Sequence, residues 1–291
     1  MRVEQVISVT VLVENTASGR GVWGEHGLAF WIEAGSQSVL FDTGQTPDVL
    51  LHNAEQLGID LVGVHAVVLS HGHYDHTGGL GEVLQRAHGV RLFLHPAALA
   101  RRYTRKGDGA IQEIGVPAAI DEGFLGEHTA SVTWTDQAAL ITGQLRVTGQ
   151  VPRVTDFEDT GGDFYLDQAC TRVDPIVDDQ AVFFDTQDGT VVLLGCGHAG
   201  VVNTLRYVQE LTAGRSIHAV IGGMHLVNAS PDRLARTVEA LQGLNLGLLS
   251  PAHCTGARAQ ARLCTEFQDR WEPCPVGTRF EFLRPERRGP A

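Results

Sequence analysis

Four metal-ligating side chains lie within six consecutive residues, directly after a short apolar run. The stretch VVLSHGHYDHTGGL covers residues 67–80 and contains His71, His73, Asp75 and His76. Residues two apart in an extended segment point to the same side, so His71 and His73 can bind one ion. Asp75 and His76 lie past the turn and can face a second ion. Because imidazole and carboxylate suit zinc, iron or manganese, the stretch predicts a metal site at the end of a strand.

A histidine-rich surface loop is the alternative interpretation of this stretch. In that case, each polar group at the end of a buried strand would need a separate explanation. Two ions that share such a loop, by contrast, can generate and hold a hydroxide near neutral pH. We therefore favour a metal centre over a surface loop.

Hydrophobic periodicity and turn residues predict strands and helices in both halves of the chain. The predicted strands cover residues 3–13, 28–34, 38–41, 65–69, 90–94, 181–185, 190–194, 217–221, 246–249 and 279–283. The predicted helices cover residues 47–57, 79–88, 201–211, 231–242 and 257–268. Each half has hairpin strands followed by alternating strands and helices, which indicates two similar halves packed face to face.

Two segments of the chain lack periodicity. Residues 100–130 and 151–178 are predicted to be loop insertions, which in a compact domain are usually functional or mobile. We expect a single domain over residues 1–284 and a disordered tail at residues 285–291.

Composition argues against several classes of partner. A net charge of −12 disfavours nucleic acid, since phosphate binding needs a basic surface. No stretch approaches the ~18 consecutive apolar residues of a membrane helix. The five cysteines are scattered without paired spacings, and the first residues show no signal-peptide pattern. These features predict a cytoplasmic protein with no membrane partner.

The stretch HGHYDH resembles the signature of the metallo-β-lactamase superfamily, and two further stretches agree. VLFDTG at residues 39–44 is similar to the first motif of that superfamily, and SPAHCTG at residues 250–256 is similar to its last histidine-bearing strand end. The resemblance implies an α/β fold of the metallo-β-lactamase type, an αββα sandwich with two mixed β-sheets face to face and helices outside. The metal site would then lie at one edge of the sandwich, where strand-end loops meet.

A narrower resemblance points to one branch of the superfamily. That branch contains the dihydropterin-ribofuranosylaminobenzene phosphate synthases and many uncharacterised metal-dependent hydrolases. The resemblance spans about residues 3–256. The matching stretches are EHGLAFWIE (25–33), TGQVPRVTDFE (148–158), DDQAVFF (178–184), GCGHAGVVNTL (195–205), IGGMHL (221–226) and PAHCTG (251–256).

The resemblance implies roles for residues outside the first stretch. His253 matches the final metal-binding histidine, and Asp42 matches an aspartate that fixes the orientation of a ligand. The middle ligands depart from the common pattern, because Cys196 stands where an aspartate is usual and His198 follows two residues later. His198 is our first choice as ligand, and Asp179 could supply the missing carboxylate. The alternatives are a small buried residue for Cys196, a strand cap for Asp179 and a turn residue for Asp42.

Three residues are predicted to act on the substrate. Asp75 is assigned a catalytic role in addition to binding metal. His225 ends a strand in GGMHL and is predicted to be a substrate-facing acid/base or binding group. Arg153 is predicted to clamp a phosphate or carboxylate of the substrate. The alternatives are a hydrogen-bonded loop histidine for His225 and a surface salt bridge for Arg153.

Together these assignments predict a metal-dependent enzyme that acts on a small anionic molecule. We expect one or two divalent ions, with zinc as the first choice and manganese, iron or magnesium as alternatives. The expected chemistry is hydrolysis of an ester, lactone or phosphoester, or the pterin-type group transfer that the branch implies. A metal-binding or sensing protein without turnover and a di-iron redox protein are the alternatives, and homo-oligomer formation stays open.

Overall fold

The computed structural model describes residues 5–285. Its strands, numbered β1 to β16, are Val6–Val13, Ala29–Ala34, Gln37–Phe41, Ala66–Val68, Arg91–Leu94, Tyr103–Arg105, Ile111–Glu113, Ser131–Trp134, Ala139–Thr142, Leu145–Val147, Phe164–Tyr165, Ala181–Asp185, Thr190–Leu194, Ile217–Gly223, Leu248–Ala252 and Arg279–Leu283. Its α-helices, numbered α1 to α7, are Pro47–Gln56, Tyr74–Thr77, Leu80–Arg86, Glu122–His128, Val201–Leu211, Pro231–Gly243 and Ala257–Phe267. Within residues 5–285, every helix is too short or too polar to span a lipid bilayer.

Local sequence signals explain where the helices begin and end. The side chain of Thr46 accepts a hydrogen bond from the backbone N–H of Val49 and caps α1, and Pro47 occupies the first position, where no N–H is needed. Ser230 caps α6 in the same way. Gly58 follows α1 with φ of 69°, a left-handed conformation that glycine adopts without strain.

Two mixed sheets organise the strands. The first has seven strands in the order β16-β1-β2-β3-β4-β5-β8, and the second has six in the order β15-β14-β13-β12-β10-β9. Strands β3, β4 and β5 run parallel, whereas β1 and β2 are antiparallel. In the second sheet, β13, β14 and β15 run parallel and β12 is antiparallel to β13. A small sheet, β11-β6-β7, is formed by the predicted loop insertions.

Three apolar clusters define the layers. The inner cluster joins the two sheets, with Phe41 of the first sheet and Phe184 of the second both fully buried. A second cluster packs helices on the outer face of the first sheet through residues such as Leu50. A third packs α5, α6 and α7 on the outer face of the second sheet through residues such as Leu205. The predicted αββα sandwich is confirmed.

Most predicted elements lie where the periodicity places them. Strand β16 covers the predicted residues 279–283, and β12 and β13 form the predicted hairpin around Asp188-Gly189. Residues 100–130, predicted to be loop, contain β6, β7 and α4, and the sequence did not predict β8, β9 or β10. These strands have three or four residues, which is too short for a periodic pattern.

Two predictions fall partly outside the described residues. The first predicted strand covers residues 3–13, and its part within residues 1–4 is not described. The predicted disordered tail also lies outside them, apart from Pro285.

Strand ends bring the chemically active residues to one edge of each sheet. In the first sheet, β3 ends directly before Asp42, and β4 ends three residues before His71. In the second sheet, β13, β14 and β15 end just before Cys196, His225 and His253. Parallel strands point the same way, so these residues share one edge.

The inner core gives a first prediction. Phe41→Ala should lower the free energy of unfolding by about 3–5 kcal/mol, because it removes a fully buried ring between the sheets. Leu140→Ala on β9 is the control, since Leu140 is 61% exposed, and it should change the free energy by less than about 0.5 kcal/mol. Denaturant unfolding followed by circular dichroism measures both. Similar losses in the two variants would contradict the inner core described above.

Candidate metal centre

A buried aspartate orients two histidines of the centre. Asp42 Oδ1 accepts a hydrogen bond from the backbone N–H of Ser70 at 2.6 Å. Asp42 Oδ2 accepts from the Ser70 hydroxyl at 2.7 Å and lies 2.7 Å from Nδ1 of His76. Because that hydroxyl donates to Asp42, its oxygen is left to accept from Nδ1 of His71, 2.9 Å away. Both rings thus carry hydrogen on Nδ1, so Nε2 is the ring atom left to face a metal.

Two more histidines are oriented by groups from distant segments. Nδ1 of His198 lies 2.8 Å from the carbonyl oxygen of Thr160. Nδ1 of His253 lies 2.7 Å from Oδ1 of Asn15. An oxygen acceptor at Nδ1 places the hydrogen there, so Nε2 of each ring is again the atom with the lone pair.

Three buried imidazoles form a group that we call the first position. The ligand atoms of His71, His73 and His198 all lie within 4.8 Å of one another, and His71 Nε2 is 2.9 Å from His73 Nδ1. Within residues 5–285, Nε2 of His198 is buried without a hydrogen-bond partner, which is unfavourable for a polar atom. A divalent ion held by these rings would remove that penalty, so the residues fit a metal.

A carboxylate lies at the centre of what we call the second position. Oδ2 of Asp75 is 3.2 Å from Nε2 of His253 and 3.9 Å from Nε2 of His76. Nε2 of His76 is also 3.1 Å from Sγ of Cys196. The ligand atoms of His71, His76 and Cys196 lie within 4.8 Å of one another, so Cys196 links the two positions.

Burial keeps the first position neutral. It holds the pKa of His71 and of His198 well below the ordinary imidazole value and lowers the pKa of His73 to about 3. Near pH 7 these rings therefore carry no extra proton, and each has the free lone pair that a metal ligand needs.

The second position is charged. Burial alone would lower the pKa of His76, but the carboxylates of Asp42 and Asp75 outweigh burial and raise it to about 9. Burial alone would raise the pKa of Asp75, but the neighbouring imidazoles of His76, His253 and His26 hold it well below its usual range. A carboxylate beside a protonated imidazole is a pair in which a divalent ion can replace the proton.

A cavity of about 420 Å³ lies over both positions. Its apolar wall is formed by Tyr74, Ile114, Phe164 and Val227, and the ring centre of Phe164 is 5.1 Å from that of His73. No arginine or lysine occurs among the described residues that line the cavity. Positive charge for an anionic substrate would therefore come from metal ions rather than from basic side chains.

His225 lines this cavity beside the first position. Its ring centre lies 4.1 Å from that of His198, and its φ of 43° is unusual for a residue with a side chain. A Cβ on Gly161 would lie 1.9 Å from His225 Cδ2, so only glycine fits against the ring. The ligand atoms of His225, Cys196 and Cys254 form a further group within 4.8 Å.

Asp179 and Arg153 are not among the residues that line the cavity, and both contact the backbone near His198. Oδ2 of Asp179 accepts a hydrogen bond from the backbone N–H of Ala199 at 2.7 Å, and burial raises the pKa of this carboxyl to about 6. Arg153 donates to the carbonyl oxygens of His198 at 2.8 Å and Pro175 at 2.7 Å. Both side chains hold the backbone around His198. Metal binding by Asp179 and substrate binding by Arg153 stay predictions.

No role was predicted from the sequence for Asn15, Thr160, Phe164 or Cys254. Asn15 stands at a polar strand end after β1, the same signal that marked the other site residues. Thr160 acts through its backbone carbonyl, which every residue type possesses, so no signal marks it. Phe164 reaches the site only through tertiary packing, whereas Cys254 directly follows His253 in the sequence.

Comparison with known proteins identifies the family. The model of the metallo-β-lactamase superfamily matches residues 22–253. The chain belongs to the metallo-β-lactamase superfamily.

Individual relatives support the branch resemblance. The chain is 26% identical to the 7,8-dihydropterin-6-methyl-4-(β-D-ribofuranosyl)-aminobenzene-5′-phosphate synthase of Methanocaldococcus jannaschii, over 95% of this chain and 97% of the relative. It is 31% identical to the uncharacterized protein MJ0448 of the same organism, over 88% and 93% of the two chains. The crystal structure of Tm1679, described as a metal-dependent hydrolase of the β-lactamase superfamily, matches with a TM-score of 0.80 at 31% identity. That match covers 95% of this chain and 99% of the other.

The first position gives a second prediction. The double variant His71→Ala with His73→Ala should bind one divalent ion fewer per chain than the wild type, because two of three imidazoles are lost. The fold should persist, as measured by circular dichroism. His88→Ala, which replaces an exposed histidine, is the control and should keep its metal. Elemental analysis measures the metal, and wild-type content in the double variant would remove these residues from the site.

Proposed function

We propose that the protein is a metal-dependent hydrolase of a small anionic ester, lactone or phosphoester. The observation that carries the proposal is the convergence of oriented, buried imidazole lone pairs and the Asp75 carboxylate beneath one cavity. His71, His73 and His198 would hold the first ion, and Asp75 with His253 the second. His76 would join the second ion, with Cys196 between the two. Zinc suits these nitrogen, oxygen and sulfur ligands, and iron or manganese would also fit.

Bound ions at such a site supply a nucleophile near neutral pH and stabilise negative charge that develops on the substrate. The chain's own residues would bind and orient the substrate. The apolar wall with Tyr74 and Phe164 would hold the substrate body and exclude water from the reacting group. Asp75 lines the cavity and would face the reacting group of a bound substrate, and its proposed catalytic role rests on this position. His225 would donate a hydrogen bond to the substrate from beside the first position.

Group transfer is the second candidate, favoured by one relative. The relative from Methanocaldococcus jannaschii is named as a pterin-type synthase and matches nearly the whole chain. The aromatic wall formed by Tyr74 and Phe164 would suit a flat ring system. In either case we propose a small-molecule partner in the cytoplasm, since the net charge is −12 and all five cysteines are free.

Metal removal tests the proposal. The purified protein would be assayed with a carboxylic ester, a lactone, a phosphomonoester and a phosphodiester. We expect turnover of at least one of them, loss of turnover after chelation and recovery on addition of zinc or manganese. Two tightly bound ions without turnover of any substrate would favour the non-catalytic metal-binding alternative.

His225 gives a further prediction for any substrate that is turned over. His225→Ala should lower kcat by about 10²-fold, since it removes a group that contacts the reacting part of the substrate. Metal content should not change. His88→Ala again serves as the control and should keep wild-type kinetics. Unchanged kcat in His225→Ala would show that the residue is structural, and loss of metal would make it a ligand instead.

A further inference from the structure

One imidazole at the rim of the cavity lies outside the predicted ligand set. Nε2 of His26 is 3.2 Å from Oδ2 of Asp75, the same oxygen that lies 3.2 Å from Nε2 of His253. The ligand atoms of these three residues all lie within 4.8 Å of one another. The His26 side chain is 53% exposed, whereas those of Asp75 and His253 are 9% and 1% exposed. His26 therefore reaches the second position from the solvent side.

The backbone next to His26 is fitted against the histidine stretch. Gly27 has φ of 151°, and a Cβ there would lie 2.6 Å from the carbonyl oxygen of Asp75. The backbone N–H of Leu28 donates to that same carbonyl oxygen at 3.3 Å. A larger residue at Gly27 would push the turn away, so the close approach of His26 to Asp75 depends on this glycine.

A set of hydrogen bonds also fixes the turn that carries His26. Oε1 of Glu25 accepts from the backbone N–H groups of Gln45 and Thr46, both at 3.0 Å, and Oε2 accepts from the Thr46 hydroxyl at 2.7 Å. Asn15, whose Oδ1 orients His253, also accepts from the backbone N–H of Gly27 at 3.4 Å. The turn is thus tied to the ligand His253 through one shared side chain.

We propose that His26 is an additional protein ligand of the ion at the second position, a ligand that the predicted set does not contain. This inference rests on the proposed function, since it requires an ion at that position. His26, Asp75 and His253 would then hold this ion, with His76 adjacent, since its Nε2 lies 3.9 Å from Oδ2 of Asp75.

Cobalt binding tests the ligand role without any substrate. Metal-depleted wild type, His26→Ala and His26→Gln would be titrated with Co²⁺, and the visible absorption of the bound ion recorded. The glutamine side chain can still donate a hydrogen bond to Asp75, but it is a much weaker ligand for this ion than imidazole. We expect both variants to bind the second Co²⁺ at least tenfold more weakly than the wild type and with an altered spectrum. The first Co²⁺ should bind as in the wild type, and His88→Ala should match the wild type throughout.

Several results would overturn the inference. Wild-type affinity and spectrum in His26→Gln would show that His26 only donates a hydrogen bond to Asp75, and an unchanged His26→Ala would show no role in binding. A wild type that binds fewer than two Co²⁺ ions would also contradict it. The proposed function fails in a different way, because two bound ions without turnover would refute hydrolysis while leaving the comparison of His26 variants intact.

Discussion

The buried carboxylate of Asp42 is the interaction on which the rest of the centre depends. It accepts both hydrogen bonds of Ser70 and orients His76, so one side chain fixes both ends of the histidine stretch. Asp42 adopts φ of 60°, a conformation that costs of order 1–3 kcal/mol and persists only where its surroundings compensate. A Cβ on Gly195 would lie 2.1 Å from Ser70 Oγ and 2.9 Å from Asp42 Oδ2. The second sheet therefore packs directly on this pair, and only glycine allows it.

A second buried carboxylate holds the middle of the same stretch. Oδ2 of Asp178 accepts from the backbone N–H of Gly72 at 2.8 Å and from Arg102 Nη1 at 2.9 Å. Arg102 is 1% exposed and its Nε also lies 2.9 Å from Asp174. Removing one member would leave an uncompensated buried charge, which is strongly destabilising. The segments that the sequence shows only as aperiodic loop insertions thus support the candidate metal centre, by ionic contacts that periodicity does not reveal.

The strand ends, and the imidazole and carboxylate side chains that follow them, were predictable from the sequence, because periodicity marks buried strands and polar residues mark where they stop. The contacts that orient the ligands were not. His253 and Asn15 are 238 residues apart, and the carbonyl of Thr160 lies 38 residues from His198. Such pairings follow from the packed sheets and leave no local pattern. Arg153 has five donors suited to an anion, and no sequence pattern showed that two of its nitrogens donate to backbone carbonyl oxygens.

Anomalous diffraction at the zinc absorption edge, from crystals of zinc-loaded wild-type protein, tests the central claim most directly. That claim is that Nδ1 contacts turn the imidazole lone pairs toward two ion positions at the edge of the sandwich. We predict two peaks beneath the cavity, one bounded by His71, His73 and His198 and the other beside Asp75 and His253. Zinc bound only at exposed histidines elsewhere, with no peak beneath the cavity, would contradict the account.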